Sequence, residues 1–142
     1  MAKRRSSGKI LAVFLGIAMV GTLWAALRPV PQLQGWRDDF EAAKVEARES
    51  GKPLLAYFTA DWCGPCRQMK QTTWPDARVK AALEGYVPVQ IDVDAHGEVA
   101  RRFGVDSIPR VLVLDPTENV IASMDGSKDA ESMARWLAAH SR

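Results

Sequence analysis

Cysteine is almost absent: the chain has two in 142 residues. That excludes a disulfide-stapled miniprotein. It also excludes a four-thiolate zinc or iron–sulfur site within one chain. Net charge is slight as well, +2, and unevenly spread. Residues 1–9 carry Lys3, Arg4, Arg5 and Lys9 with no acid, which leaves 15 basic against 17 acidic residues elsewhere. The remainder is weakly acidic, so the charge gives no warrant for nucleic-acid binding. The sequence has no internal repeat, low-complexity tract, phosphate loop, serine triad or paired-carboxylate pattern. What is present is ordinary for a globular protein, with 47% hydrophobic and 25% charged residues and a length that suits one domain.

Ile10 to Leu27 is an 18-residue run without a charged residue. As a helix it would extend roughly 27 Å, close to the hydrocarbon thickness of a bilayer. Trp24 falls near its end, where an indole favours the lipid–water interface. A cleaved signal peptide needs small residues at two positions separated by one. Ala26 is preceded two residues back by Trp24, and Ala25 by Leu23, so neither is a good site. The expectation is therefore a basic cytoplasmic tip over residues 1–9, a transmembrane anchor or uncleaved signal over 10–27, and a Pro- and Gly-containing linker over 28–35. A folded domain over 36–142 then lies across the membrane.

In that domain Asp38 or Asp39 caps a helix to Ser50, with Phe40, Ala43, Ala47 and Val45 inward. Pro53 to Thr59 is a short apolar run, as in a strand buried on both faces. A helix runs from Cys63 to about Thr72 and breaks at Trp74-Pro75-Asp76, and a second reaches Leu83. Tyr86–Val93 is a strand, Ala95–Phe103 a helix capped by Asp94, and Val111–Leu114 and Val120–Ser123 form a hairpin. Ser127 caps a last helix to His140. Strands separated by helices imply parallel crossovers, hence an α/β fold with a central mixed sheet covered by helices on both faces.

Both cysteines fall in Trp62-Cys63-Gly64-Pro65-Cys66, between an apolar strand and a helix. The first turn of a helix offers unpaired N–H groups and the positive end of the macrodipole. A Cys63 thiolate is stabilised there, and its pKa falls below that of a free thiol. Cys66, one turn on, can attack a mixed disulfide at Cys63 and release the partner. Gly64 permits a tight loop, and Pro65 suits a first turn because it needs no N–H donor. A zinc site would have to recruit His96 and His140, which lie too far apart in sequence. A purely structural disulfide closing so short a loop would constrain little of the unfolded chain.

These residues, followed by Phe103-Gly104-Val105-x-x-Ile108-Pro109, resemble the thioredoxin family over residues 36–140. Tyr57-Phe58-Thr59-Ala60-Asp61-Trp62 and the Thr73-Trp74-Pro75-Asp76 break are similar to the C-terminal domain of transmembrane thiol:disulfide interchange reductases. The resemblance implies a thioredoxin-like fold with Cys63 as exposed nucleophile and Cys66 as buried resolving thiol. It implies a cis Ile108–Pro109 bond beside the cysteines, with the Ile108 backbone pairing to an extended substrate and Trp62 lining the same surface. The sequence departs from the family in three places. Tyr57 stands where a buried Asp is usual, Gln90 where its Lys partner is usual, and Arg110 follows Pro109 in place of Thr. The proton of Cys66 must therefore move through water or another group, and Arg110 places a positive charge near the substrate groove. Asp61 caps the helix or faces solvent.

The function so expected is reduction of disulfides in exported proteins through Cys63 and Cys66. Trp62, Gly64, Pro65, Ile108, Pro109 and Arg110 would form the substrate surface. No metal or cofactor is expected beyond the dithiol. Gly64-Pro65 places no charge between the cysteines, which favours reduction over oxidation of partners. Expected partners are protein thiols and disulfides, the membrane through residues 10–27 and a membrane electron-transfer protein, at a bacterial inner membrane with the domain outside the cytoplasm. A disulfide oxidase or isomerase of the same fold, or a non-catalytic binding module, are the alternatives.

Overall fold

The computed structural model describes residues 7–26 and 32–141, with side chains in the first stretch for residues 10 and 12–22. Lys3, Arg4 and Arg5 of the basic tip, Leu27 of the expected anchor and residues 28–31 of the linker lie outside the described residues. The chain divides into two compact units, Met1–Val30 and Pro31–Arg142. The first contains α1 (Ser7–Ala26). Its described apolar side chains are exposed, Phe14 to 65% and Met19 to 74%. Among the described residues no helix is long and apolar enough to cross a membrane.

The second unit opens with α2 (Phe40–Ser50). The Asp39 carboxylate accepts the Ala42 N–H at 3.0 Å, and Gly51 ends the helix in the left-handed region at φ 69°. Phe40, Ala43 and Ala47 are buried. Val45, expected inward, is exposed; its position falls on the opposite side of a helix whose buried residues recur at three and four. Four strands follow: β1 (Leu54–Thr59), β2 (Val87–Asp92), β3 (Arg110–Leu114) and β4 (Val120–Asp125). They form one sheet in the order β2-β1-β3-β4. β1 and β2 are parallel, while β3 runs antiparallel to both β1 and β4. The parallel crossover expected between β2 and β3 is therefore not made. That connection carries only α5 (Gly97–Arg102), and the chain turns back after Gly104, at φ 61°, to enter β3 from the other side of β1.

Alternation along β1 sorts the core into two layers. Leu54, Ala56 and Phe58 pack with β2, α2 and α5 on one face. Leu55 and Tyr57 pack on the other with α3 (Gly64–Gln68), α4 (Ala77–Leu83) and α6 (Ala130–His140). The helix that starts after Cys63 changes character at Met69–Thr73, a π-helical turn in which the Trp74 N–H reaches the Met69 carbonyl at 3.0 Å. Asp129, rather than Ser127, caps α6, accepting the Ser132 N–H at 2.8 Å. Ser127 follows Gly126, which at φ 73° is still turning the chain out of β4.

The β3–β4 turn is held by its own side chains. Asp115 accepts the N–H groups of Thr117 and Asn119 and the Asn119 side-chain amide. Glu118, at φ 70°, joins Lys44 and Arg48 of α2 and Arg102 of α5. The Asn119 and Thr117 side chains hold the Asp115 carboxyl down to about 2, against an ordinary 3.8. Its folded pKa is depressed, so its stabilisation is complete above 3.8 and is lost as pH falls through 2. Urea midpoints measured from pH 5 to pH 2 will fall less steeply in Asp115→Asn than in the parent protein.

Candidate functional site

β1 delivers the site. Its six residues are at most 1% exposed, and its end leads through buried Ala60 and exposed Asp61 and Trp62 to Cys63. Cys63 is the cap residue of α3, with extended backbone at φ −78° and ψ 104°. Its sulfur accepts the Cys66 N–H at 3.2 Å. The two cysteines are joined as a disulfide, S–S 2.05 Å. Cys66 is fully buried and Cys63 is 4% exposed. Cys63, expected as the exposed member of the pair, is therefore itself buried in this disulfide state. Pro65 lies in the first turn. Gly64 needs no special backbone, and a Cβ there would meet nothing within 4 Å, so the tight-loop reason for it does not hold.

Beneath the disulfide the sheet is aromatic and polar. The Tyr57 hydroxyl donates to the Cys66 carbonyl at 3.2 Å. Its ring stands edge-on to Trp74 and Trp36, with centroids 5.0 and 5.9 Å away. Burial pushes the Tyr57 pKa up, so the hydroxyl stays a donor. Gln90 is the register partner of Tyr57, and Asp92 that of Thr59, so all four share one face of the sheet. Three buried atoms around this face have no hydrogen-bond partner: Thr59 Oγ1, Gln90 Oε1 and Trp74 Nε1. Lys70, in the π-helical turn, is only 3% exposed. Burial pushes its pKa down, while Asp61 and Asp92 pull it back up.

The second motif meets the first at the same end of the sheet. Ile108–Pro109 is cis. Arg110 pairs with Phe58, which sets buried Pro109 opposite Thr59, four residues before Cys63. The Pro109 carbonyl accepts the Gly126 N–H at 2.9 Å, and half-buried Ile108 packs against both core layers. Arg110 does not present a free charge: its Nη1 lies 3.0 Å from the Asp125 carboxylate, its cross-strand neighbour on β4. Asp61 faces solvent, and Asp94 does not cap α5. Asp94 instead accepts the Trp62 indole N–H at 2.8 Å, holding the position of a side chain that is 69% exposed.

A family model described as thioredoxin-like matches residues 35–116. The chain belongs to the thioredoxin-like family. Both cysteines of the Cys63–Cys66 disulfide fall inside the matched residues. Thioredoxin H-type from Oryza sativa subsp. indica is 36% identical over 78 residues, 55% of this chain and 62% of that protein. Thiol:disulfide interchange protein DsbD from Cronobacter sakazakii is 31% identical over 88% of this chain, which spans only 25% of that longer protein. Among solved structures, the oxidised C-terminal domain of DsbD from Neisseria meningitidis superposes with a TM-score of 0.60 at 26% identity, covering 71% of this chain and 95% of that domain. A thioredoxin from Thermus thermophilus gives 0.64 at 25% identity, covering 73% and 85%.

Two members of this thioredoxin-like site escaped the sequence reading. Asp94 has the chemistry of a helix cap, but its carboxylate accepts the Trp62 indole N–H, a contact between segments that are far apart in sequence. Lys70 lies four residues after Cys66, a spacing that puts both on one side of a helix, and that signal was available. Tyr57 stands where the family usually has Asp, and its hydroxyl binds the Cys66 carbonyl, a contact its spacing in sequence does not reveal. Removing that hydroxyl in Tyr57→Phe will destabilise the oxidised protein by about 1 kcal/mol in urea unfolding. The Cys66 carbonyl keeps its second donor, the Met69 N–H, so a larger loss is not expected.

Proposed function

We propose that this chain is a membrane-tethered protein-disulfide reductase acting outside the cytoplasm, with Cys63 as nucleophile and Cys66 as resolving thiol. The observation that carries the reading is the Cys66 N–H held 3.2 Å from the Cys63 sulfur. A backbone donor aimed there stabilises the thiolate over the thiol, which is what an attacking cysteine requires. The Cys63 thiolate attacks a substrate disulfide and forms a mixed disulfide. Cys66 then attacks Cys63, the second substrate thiol leaves, and the disulfide seen in the structure is the product state. Trp62, Gly64, Pro65, Ile108, Pro109 and Arg110 form the proposed substrate surface. The exposure of Gly64 and Pro65, with Trp62 69% exposed beside them, supports this. The Arg110–Asp125 pair offsets the charge that would have selected acidic partners.

The reductive direction is supported by the absence of a charged residue between the cysteines. Regeneration then needs a dithiol donor, proposed to be a membrane electron-transfer protein, and likeness to a thiol:disulfide interchange protein supports exchange with such a donor. Tethering is supported by α1, whose described apolar side chains all lie open to solvent, and by the basic residues before it. Exposed apolar surface of that extent calls for lipid or protein to cover it.

A Cys66→Ala variant expressed in full length will accumulate mixed disulfides that vanish when Cys63 is also replaced. Failure to trap any partner, with Cys63 still open to alkylation, would leave only a binding module. The equilibrium potential is expected nearer to about −270 mV than to about −120 mV. A value at the upper figure would make the protein an oxidase. In cell fractionation the full chain will stay with the membrane through alkaline washing, and release into the soluble fraction would sink the tether.

A further inference from the structure

A cavity of about 700 Å³ opens beside the π-helical turn. None of Trp62, Cys63, Cys66, Ile108 and Pro109 lines it, so it is separate from the disulfide site. We propose that this cavity is a binding site for a small amphipathic anion, a flat apolar body carrying one carboxylate. The proposal goes beyond the dithiol reading and does not depend on it.

Separate parts of the chain build the cavity. One wall is the segment before α2, which is fastened to the edge of the sheet: the Arg37 N–H donates to the Pro88 carbonyl at 3.0 Å, and the Gln90 N–H to the Arg37 carbonyl at 2.8 Å. The π-helical turn supplies Lys70, with Trp74 just after it, and α4 supplies Lys80 and Leu83. Tyr86 closes the side next to β2. The aromatic walls are fixed in place. Trp36 stands edge-on to Trp74 with centroids 4.7 Å apart, and the Tyr86 hydroxyl donates to the Leu137 carbonyl at 2.6 Å. Aromatic walls of this kind hold a flat apolar body by edge and face contacts. Apolar lining with a few polar groups, in a space of this size, is the usual form of a small-molecule site.

The charge around the cavity is nearly all of one sign. Arg37, Lys52, Lys70 and Lys80 line it against the single carboxylate of Glu84. Arg37 is already held by Glu46. Among the described residues, the three lysines make no ion pair. Lys52 and Lys80 are exposed, so water serves their ammonium groups. Lys70 is only 3% exposed, and burial pushes its pKa down. Asp61 and Asp92 pull it back up, but they act by charge alone and make no hydrogen bond to it. A buried ammonium without a hydrogen-bonded partner is costly, and a carboxylate entering the cavity supplies that partner. A neutral ligand of the same shape fills the apolar walls and leaves the ammonium as it was. The cavity therefore selects an anion.

The test follows the tryptophan indole N–H resonances by NMR, with the full chain in a zwitterionic detergent at neutral pH. The probes are naphthoate and its neutral isostere naphthamide. Naphthoate will shift the Trp36 and Trp74 resonances, leave those of Trp62 and Trp136 in place, and bind at least about tenfold more tightly than naphthamide. In Lys70→Met the two probes will bind alike, and Lys70→Arg will keep the preference. Equal affinity of the two probes for the unaltered protein overturns the proposal, as does a titration that moves neither cavity tryptophan. A folded Lys70→Met protein with its preference intact overturns it as well. Should that variant not fold, the double variant Lys52→Met, Lys80→Met decides, since both positions are exposed. Its preference for naphthoate will drop about threefold, and an unchanged preference counts against the site.

Discussion

The burial of β1 on both faces is the constraint on which the site depends. Each of its residues is at most 1% exposed, clamped between β2 and β3 and covered by helices above and below. A strand so enclosed cannot shift in register without driving every side chain into the wrong layer. Its end is therefore a fixed point, and the cysteine turn begins four residues beyond it. The same register sets Pro109 opposite that end and puts Tyr57 under Cys66. Several side chains from distant parts of the chain meet because one strand has a single allowed position.

Much of this is written locally and so could be read from sequence. The continuous apolar run at Leu54–Thr59, the Gly51 stop, the cysteine spacing at a helix start and the break at Trp74-Pro75 all act within a few residues of themselves. What could not be read depends on register or on competition between neighbours. Asp94 precedes a helix and has the chemistry of a cap, yet its carboxylate binds the Trp62 indole, because the end of β2 brings it alongside the cysteine loop. Asp129 outcompetes Ser127 as the cap of α6 because the turn at Gly126 has not finished when Ser127 is reached. The direction of β3 is hidden from the sequence for the same kind of reason. A connection with a single six-residue helix reads like a crossover but returns the chain on the far side of β1.

Charge in this protein is handled by local pairing rather than by a broad field. Glu118 gathers Lys44, Arg48 and Arg102, and Arg110 is answered by Asp125 across the hairpin. Burial alone would raise the Glu118 carboxyl, but the Lys44 bond and the three cations outweigh it and hold it below its ordinary 4.5. These pairs tie the β3–β4 turn to α2 and α5, and β3 to β4, so the charges fix the scaffold from which the cysteine loop projects.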